Sequence, residues 1–381
     1  MKRILFITTR NPFSGRFSGD VIRSSRIIKL LRKKYNVDVL FLGKEEKFDN
    51  KKNITYSFKY PNYLFKVFYC LKSLFKLQPI QFGLFHSPKL KDYIEKNSYR
   101  YDVLFFHQIR SVQYFPKEYK GKIILEMGDL YSQNYFQTYK NISFFNLFFY
   151  FYYIESLLVK KIENKSFNLF NKIILFSKKE INQVDYKYKK KIIHIPESVN
   201  EVKKEYKFSV KNYKILFIGN LGYLPNKLAC LDFVRKILPK ISLKFPDLEF
   251  HIVGNINKVD RLLLRLNSKV RVIGQQKKID KFIKKSICGL ANLEIATGIQ
   301  GKVLTYMSYG LPAICSHKIS SNFSSAVMNY KNEKELINHI VQLKLDKKKS
   351  ENYSKKSNLY IKNFLWKDVG SNYYKLIKNL F

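Results

Sequence analysis

The chain has 381 residues, enough for two domains with a core each, and its 46% hydrophobic and 16% aromatic content excludes wholesale disorder. Its 71 Lys and Arg residues against 29 Asp and Glu residues give a formal net charge of +42. Because the lysines are scattered along the whole chain, this charge indicates a general compositional bias first, an acidic membrane surface second and nucleic acid third. No zinc-finger spacing or aromatic RNA-binding motif supports the third, so we expect no nucleic-acid partner.

Cysteine use and hydropathy favour a cytoplasmic protein. The four cysteines are far apart in apolar surroundings, which favours neither a metal cluster nor a disulfide framework: Cys70, Cys230, Cys288 and Cys315. The apolar N-terminal run is interrupted at residues 10–12 and is too short for the core of a signal peptide. The longest uncharged stretch, residues 141–154, is shorter than the roughly 20 residues of a membrane-spanning helix.

The first 200 residues are predicted to form an α/β domain. RILFITT at the N-terminus predicts a strand, the loop NPFSGRFSGD precedes an amphipathic helix, and VDVLFLG predicts the next strand. Further strands are expected at residues 103–106, 123–126 and 173–176, the last of them after a long helix. This alternation of strand, loop, helix and strand predicts a parallel sheet.

Two aromatic segments in this domain have two possible roles. Residues 60–85 and 144–158 mix Phe, Tyr and Leu with flanking lysines, a composition suited to the headgroup layer of an anionic membrane. Either segment could instead pack in the core of the domain. For residues 144–158 we favour burial of at least part of the helix, because amphipathic aromatic residues more often pack than bind lipid.

A second α/β domain is predicted over residues 201–355. Residues 197–213 are polar without apolar periodicity and are the best linker, and KILFIGN at residues 214–220 nearly repeats the N-terminal RILFITT. The expected strands are 215–218, 249–253, 270–273, 289–293 and 312–315. Residues 356–381 are predicted to form a C-terminal helix that packs back on the first domain. The predicted fold class is therefore two doubly wound parallel-sheet domains that face a cleft, where ligands bind at the carboxyl ends of strands.

The sequence from 294 to 316, EIATGIQGKVLTYMSYGLPAICS, predicts a glycine turn, a helix and a buried strand. Thr297 and Gly298 are expected to supply a cap and a flexible turn. Apolar positions follow at helical spacing, and Gly310 with Pro312 marks the end of a helix of about three turns.

The start of this helix is a candidate anion site. Free amides and the positive end of the helix dipole favour a phosphate, and Gly298 lets the backbone approach it. Lys302 in the first turn opposes the dipole, which is easier to understand if an anion lies between them. The alternative is a solvated surface lysine in a lysine-rich chain.

On these residues the chain resembles a group 1 (family 4) glycosyltransferase with the GT-B fold of two Rossmann-like domains. TGIQGKVLTYMSYGLPAI is similar to a GxxxKVLEYMAxGxP pattern of the polysaccharide-biosynthesis branch. Supporting segments, each weak alone, follow in the order of the family: FSGDVIRSSRIIKLL, FFHQIRSVQYF, MGDLYS, HIPESVN, LFIGNLGYLPN and LWKDVGSNYYKLI.

The resemblance implies that the second domain holds a nucleotide-diphosphate sugar as donor. The Lys302 ammonium and three backbone amides would lie at its pyrophosphate, where charge develops on the leaving group: Gly298, Ile299 and Gln300. Gly274 and Gln275 align with the stretch whose backbone recognises the base in the family.

The resemblance places the acceptor on the first domain. Gly15 and Gly19 would lie beside the donor phosphates or the reacting sugar, and four polar residues are candidates for the same cleft: Arg23, His107, Arg110 and Asp129. Each of the last three has a simpler interpretation. His107 could be a hydrogen-bonded histidine at a strand end, Arg110 a surface ion pair, and Asp129 a cap of the following helix.

Two departures from the family pattern bear on activity. Many members carry two glutamates eight positions apart where this chain has Thr297 and Thr305, and the second glutamate would hold the ribose hydroxyls. Glu294 is a candidate to replace the second glutamate, but we favour its interpretation as a solvated charge at a strand end. Where many members have an arginine and a lysine for the diphosphate, only Lys227 is basic here, so Lys302 is expected to carry more of that task.

The sequence thus predicts a cytoplasmic glycosyltransferase, on the inner face of the plasma membrane, that acts on a lipid-linked surface glycan such as lipopolysaccharide or capsule. By the resemblance it would retain anomeric configuration and need neither metal nor cofactor. Because Thr305 replaces a carboxylate, the alternative is a catalytically weakened GT-B protein that serves as a scaffold in a glycan-assembly complex.

Overall fold

The structure, a computed structural model, describes residues 2–15, 18–49, 52–276, 278–296 and 298–381. The chain divides into two compact units. The first comprises Met1–Pro196 together with Gly370–Phe381, and the second comprises Glu197–Val369.

The first unit is built on one sheet. Its strands, in chain order, are β1 (Arg3–Ile7), β2 (Asn36–Gly43), β3 (Glu46–Asp49), β4 (Ile54–Lys59), β5 (Val103–His107), β6 (Lys122–Gly128), β7 (Lys172–Leu175) and β8 (Ile192–His194). They are arranged β3-β4-β2-β1-β5-β6-β7-β8, and all neighbours are parallel except β3, which is antiparallel to β4. In β1 the side chains from Ile4 to Ile7 are fully buried, because helices cover both faces of a doubly wound sheet.

Helices connect these strands. They are α1 (Gly19–Leu31), α2 (Tyr63–Phe75), α3 (Ile80–Leu84), α4 (Pro88–Asn97), α5 (Tyr131–Lys140), α6 (Leu147–Leu169) and α7 (Lys178–Gln183). A short 3-10 helix, Ile109–Tyr114, follows β5. No helix among the described residues is long and apolar enough to cross a membrane.

The second unit is built on a parallel sheet. Its strands are β9 (Lys214–Ile218), β10 (Glu249–Val253), β11 (Val270–Gly274), β12 (Ser286–Ala291), β13 (Ala313–Ser316) and β14 (Met328–Tyr330), arranged β11-β10-β9-β12-β13-β14. The helices are α8 (Leu224–Asp232), which continues through a π turn into α9 (Leu238–Ser242), then α10 (Lys258–Arg265), α11 (Asp280–Ile283), α12 (Gly301–Ser308), α13 (His317–Ser320), α14 (Glu333–Leu345) and α15 (Lys347–Tyr360).

The last helix, α16 (Trp366–Lys378), begins in the second unit and ends in the first. Tyr373 and Ile377 on this helix are fully buried. The Tyr374 hydroxyl donates a hydrogen bond to the Leu30 carbonyl of α1. Residues 370–381 therefore belong to the packing of the first unit, although the second unit separates them from it in sequence.

The predicted fold class is confirmed in its two parallel α/β sheets. The repeated strands RILFI and KILFI became β1 and β9, and each lies at the point where its sheet reverses strand order. Strands β3, β4, β8 and β14 were not predicted. They lack the buried apolar signal that marks a central strand, and the antiparallel β3 is exposed along its whole length.

Candidate active site

The carboxyl edge of the second sheet gathers the loops that follow β9, β10, β11 and β12. Strand order reverses between β9 and β12, which are parallel neighbours. Loops on either side of such a reversal diverge and leave a crevice that is the usual ligand site of open α/β sheets. Helix α8 follows β9 and helix α12 follows β12, so the two helices begin on opposite sides of this crevice.

Tyr306 fixes the position of α12. Its hydroxyl donates to the Leu290 carbonyl at 3.1 Å and accepts from the Ile218 amide at 2.8 Å, which connects the helix to β12 and β9. The ring packs on Gly289, where a Cβ atom would lie 2.3 Å from a ring carbon. Only glycine allows this approach, so Gly289 and Tyr306 together determine how closely the helix that carries Lys302 packs against the sheet.

The helix begins later than the sequence predicted. It starts at Gly301 with Gln300 in the capping position, and its eight residues make about two turns rather than three. The expected cap, Thr297, lies outside the described residues. Ile299 packs against the core and Gln300 has an extended backbone, so the helix has not yet begun at these residues.

The loop before α12 determines which amides can receive an anion. Gly298 has a φ of +62°, and its carbonyl accepts a hydrogen bond from the Asn322 side chain at 2.9 Å. The first bond of the helix runs from the Val303 amide to the Gln300 carbonyl at 2.9 Å. The amides of Gly301 and Lys302 precede that bond, and they are the first-turn donors at this edge.

Lys302 lies half-buried at the start of the helix and faces α8. Its ammonium donates to Asn226 Oδ1 at 2.6 Å and lies 4.1 Å from the centroid of the Phe217 ring. Among the described residues no carboxylate lies within 4 Å of this ammonium. Burial lowers the pKa of Lys302 to about 7, because a desolvated ammonium without a counter-charge favours its neutral form. A bound anion would supply that counter-charge.

Asn226 was not predicted as a site residue. Its Nδ2 atom donates to the Asn220 carbonyl at 2.9 Å, which orients the amide so that its oxygen faces Lys302. The neighbouring Lys227, expected at the diphosphate, instead forms an ion pair with Asp260 at 2.5 Å. The only sequence signal for Asn226 is its place directly before that lysine.

Thr305, which stands where the family has a glutamate, and Glu294, the candidate to replace that glutamate, both have partners within the protein. Thr305 donates from its hydroxyl to the Gly301 carbonyl one turn earlier, at 2.9 Å. Glu294 is exposed and pairs with Lys318 at 3.2 Å, which matches the solvated strand-end charge favoured from the sequence.

The residues expected at the base lie at the end of β11. Gly274 has a φ of +87° and its carbonyl accepts from the Gly254 amide at 2.9 Å, while the Gln275 side chain is exposed. Arg261, which was not predicted, extends from α10 to this point. Its Nη2 atom lies 2.8 Å from the place that a Cβ of Gly274 would take.

In the first unit His107 lies in a buried polar network. Its Nδ1 atom is 2.6 Å from Glu126 Oε2 and its Nε2 atom is 3.2 Å from the Asp20 carbonyl, so both ring nitrogens have partners. Glu126 also accepts from Arg23 and, at 2.5 Å, from the Tyr373 hydroxyl. Burial opposes ionisation of Glu126, but Arg23 and His107 lower its pKa to about 2. Arg23 and His107 thus have structural contacts that leave them deep in the unit.

Arg110 lies nearer the surface, at the carboxyl end of the first sheet. Its guanidinium donates to Gln108 and stacks over the Phe85 ring at 4.7 Å. Asp20 is close by and pairs with Arg10 at 2.7 Å. Burial opposes its ionisation, but the charges of Arg10 and Arg110 help to keep the pKa of Asp20 below its ordinary value.

Gly15 and Gly19 precede or begin α1 at this same end of the sheet. A Cβ atom at either glycine would meet no atom within 4 Å, so there is open space beside both. A ligand group could approach the backbone there, as the resemblance implies.

Asp129 belongs to a group of carboxyls at the start of α5. The caps of that helix are two other side chains: Glu180 accepts from the Leu130 amide at 3.2 Å and Glu163 from the Ser132 amide at 2.9 Å. Burial, together with the adjacent Asp129 carboxylate, raises the pKa of Glu180 to about 9. Asp129 thus lies beside Glu180, where its negative charge favours the protonated form of that glutamate.

The structure thus brings together, in the second unit, Lys302 and the loop from Gly298 to Gln300, with Gly274 and Gln275 farther along the same edge. The first-unit candidates lie around Glu126, Asp20 and Glu180, and His107 contacts both Glu126 and the Asp20 carbonyl. Among the described residues no group of three or more His, Cys, Asp or Glu side chains is arranged to hold a metal ion.

A protein-family model matches the sequence of this second unit. Residues 212–346 match the model of the glycosyl transferases group 1, which confirms the resemblance noted in the sequence. This segment contains the whole edge from β9 to α12. No protein of curated function matches the sequence significantly.

Solved structures confirm the GT-B fold over the whole chain. Sucrose-phosphate synthase from Thermosynechococcus elongatus is 14% identical with a TM-score of 0.74, and the match covers 100% of this chain and 99% of that one. Anabaena HepE in complex with UDP and glucose is 11% identical with a TM-score of 0.67 and 100% coverage of both chains. A variant of S. aureus TarM in complex with UDP and α-GlcNAc-glycerol is 11% identical with a TM-score of 0.64, covering 100% and 99%.

Proposed function

With residues 212–346 assigned to the group 1 glycosyl transferases, we propose that the chain transfers a sugar from a nucleoside-diphosphate sugar to a glycan acceptor. The observation that carries the proposal is the Lys302 ammonium at the reversal point of the second sheet, held by an uncharged amide oxygen 2.6 Å away. A partly buried cation with only a neutral partner is suited to bind an anion. HepE and TarM, which share the fold, were solved with UDP.

In the proposed sugar transfer, the groups at this edge stabilise the leaving nucleoside diphosphate. The bond between the anomeric carbon and the phosphate oxygen breaks, and its electron pair leaves with the nucleoside diphosphate. Lys302 and the amides of Gly301 and Lys302 would stabilise that charge, as oxyanion donors do in acyl transfer. The acceptor hydroxyl oxygen bonds to the anomeric carbon, and its proton passes to a phosphate oxygen of the departing nucleoside diphosphate. Retention of configuration and metal independence are part of the proposal, on the strength of the family resemblance.

The proposed acceptor is a lipid-linked surface glycan at the inner face of the plasma membrane, with capsule or lipopolysaccharide as the class. Helix α2 supports membrane contact, because only Ser73 of its residues is buried. Its exposed side chains are mainly apolar: Tyr63, Leu64, Phe65, Val67, Phe68, Leu71 and Phe75. Lys66, Lys72 and Lys76 on or beside this helix would face the anionic headgroups.

A matched pair of variants tests the membrane contact. Wild type should float with vesicles that contain phosphatidylglycerol and stay in solution with neutral vesicles. Phe68→Ser with Leu71→Ser should lose flotation, whereas Leu262→Ser with Leu263→Ser, on the exposed face of α10, should keep it. Equal flotation of the two double variants would remove α2 from the proposal.

A catalytically weakened scaffold is the second candidate. It is favoured by one observation: at the position of the ribose-binding glutamate, Thr305 uses its hydroxyl within its own helix, and Glu294 pairs with Lys318. A scaffold of this kind would keep the fold and bind nucleotide weakly or not at all.

Nucleotide binding distinguishes the two candidates. Thermal unfolding would be measured with UDP, GDP, ADP, CMP and their common sugar conjugates, each with and without EDTA. A ligand at about 100 times its dissociation constant adds about 2.7 kcal/mol and shifts the midpoint by several degrees. We expect one diphosphate to stabilise wild type and Lys227→Ala but not Lys302→Ala, with or without EDTA. No shift with any nucleotide would favour the scaffold.

A further inference from the structure

The first unit contains a cavity that the proposed chemistry does not use. It has a volume of about 440 Å³ and lies between α2 and α4, with residues of α3 and of the 3-10 helix after β5 in its lining. Tyr69 and Phe82 give it an apolar side. A volume of this size is within the range of small-molecule sites and can hold a diphosphate with part of a sugar.

Its other side is cationic. Lys72 lies on α2, Lys76 directly follows that helix, and Lys91 lies on α4. Among the described residues none of these three ammonium groups has a carboxylate within 4 Å, although many other lysines of the chain do. Of the two acidic residues in the lining, Asp92 is neutralised by Lys96 at 3.0 Å, and the other is Glu95.

A histidine and a glutamine add directed polar groups. Gln113 Nε2 donates to the carbonyls of Phe85, at 3.3 Å, and Arg110, at 3.1 Å, so its Oε1 atom faces His86. His86 Nδ1 lies 3.2 Å from that oxygen and therefore donates to it. The Tyr69 ring lies 4.5 Å from the imidazole. Burial, with the charges of the three lysines, lowers the pKa of His86, as expected in a positive field.

The cavity adjoins the apolar face of α2. Lys72 of α2 and Lys76 directly after it line the cavity, while Phe68, Leu71 and Phe75 of that helix are exposed. A ligand in the cavity could thus carry a charged group among the lysines and an apolar chain along the helix. The carboxylate of Glu95 could accept hydrogen bonds from sugar hydroxyls.

We propose that this cavity binds the phosphate of a lipid-linked acceptor, with the lipid chain along α2 and the adjoining sugar against Tyr69. The inference rests on the proposed function and names the acceptor class of that reaction. A lipid-linked acceptor and a bilayer phospholipid both present a phosphate ester beside an apolar chain. The experiment is therefore designed to distinguish these two ligands.

Farnesyl diphosphate is the probe, measured by calorimetry against wild type without nucleotide. Lys72→Gln with Lys91→Gln removes one cavity charge from each helix, and binding should weaken at least about tenfold. Lys66→Gln with Lys89→Gln removes the same charge from the same two helices outside the cavity, and binding should change less than about twofold. All of these lysines have exposed or half-exposed side chains, so the variants should keep the wild-type melting temperature.

Equal loss in the two double variants would overturn the proposal, because bulk charge would then explain binding. Inorganic pyrophosphate that binds as tightly as farnesyl diphosphate would mean a site for free phosphate. If the Lys72 and Lys91 substitutions weaken binding to phosphatidylglycerol vesicles but not binding to farnesyl diphosphate, the cavity is a site for a bilayer headgroup. Since none of these measurements requires a donor nucleotide, they are independent of the Lys302 test of the proposed function.

Discussion

Lys302 Nζ lies 2.6 Å from Asn226 Oδ1, so the cation on α12 meets an amide on α8 across the reversal point of the second sheet. The nearest basic neighbour in sequence to Asn226 behaves differently, since Lys227 is neutralised by Asp260 at 2.5 Å. Of these two lysines, only Lys302 has no carboxylate partner among the described residues.

Replacement of Lys302 by alanine should lower turnover by about 10² to 10³, the range for loss of one transition-state donor. Nucleotide affinity should also depend on pH. Because the pKa of the free ammonium is lowered to about 7 and a bound diphosphate would raise it, affinity should be full below pH 7 and fall as pH rises above it. Titrations of wild type between pH 6 and pH 9 check this, and Lys302→Ala should lack the decline.

Asn226→Asp should weaken nucleotide binding by about tenfold or more, which corresponds to about 1.4 kcal/mol. The new carboxylate would pair with Lys302 and would repel the phosphates. Asn226→Ala is the comparison, because it removes the amide without adding charge. Dissociation constants for UDP and GDP measure both, and an Asp variant that binds as well as the Ala variant would contradict the assignment of phosphates to this point.

Thr305→Glu should tighten binding of the cognate nucleotide, because a carboxylate would be restored where the family grips the ribose hydroxyls. Hydrogen bonds to charged groups contribute about 1.5–3 kcal/mol, so an increase of tenfold or more is expected. Thr305→Gln, with the same shape and no charge, should gain less. A glutamate without effect would mean that the ribose lies elsewhere and would strengthen the scaffold alternative.

Glu126→Gln should reduce the free energy of unfolding by about 3–5 kcal/mol, since Arg23 would keep its charge without a carboxylate. Urea denaturation measures this, with Tyr374→Phe on α16, which removes one hydroxyl bond to the Leu30 carbonyl of α1, as the milder control. The pH dependence has a defined sign. The pKa of Glu126 is lowered to about 2, so its contribution is complete above the ordinary glutamate value near 4.5 and is lost as pH falls toward 2.

Glu180 should act in the opposite direction. Its pKa is raised to about 9, so the folded state favours its protonated form, and its contribution to stability should decrease as pH rises from about 4.5 toward 9. Glu180→Gln should remove that part of the dependence and should be more stable than wild type near pH 9. Exposed Glu118→Gln is the control, and parallel curves for the two variants would argue against a protonated Glu180.

The sequence alone predicted the parallel sheets and the loop that carries Lys302, because both depend on local patterns. Apolar runs identify central strands, and a glycine turn before a short helix identifies a phosphate-type loop. The sequence placed the cap of α12 at Thr297, which lies outside the described residues, whereas the helix begins at Gly301 with Gln300 in the capping position.

Partners distant in sequence could not be predicted. Asn226 and Lys302 are 76 positions apart, and Glu126 and Tyr373 are 247 apart, so no periodicity relates them. The interpretation of His107 as a hydrogen-bonded strand-end residue agrees with its geometry, but the sequence did not reveal that Glu126 is its partner. Side-chain networks of this kind depend on topology, which brings separate segments to one place.

The return of residues 370–381 to the first unit affects how the protein can be made and divided. During synthesis the ribosome must complete the entire second unit before Tyr373 emerges to reach Glu126 and Arg23. Until then the nascent first unit holds a charged cluster without one of its hydroxyl partners. A truncation after Val369 would remove that hydroxyl partner permanently. To study the first unit alone, a circular permutant that retains residues 370–381 is therefore needed rather than a simple truncation.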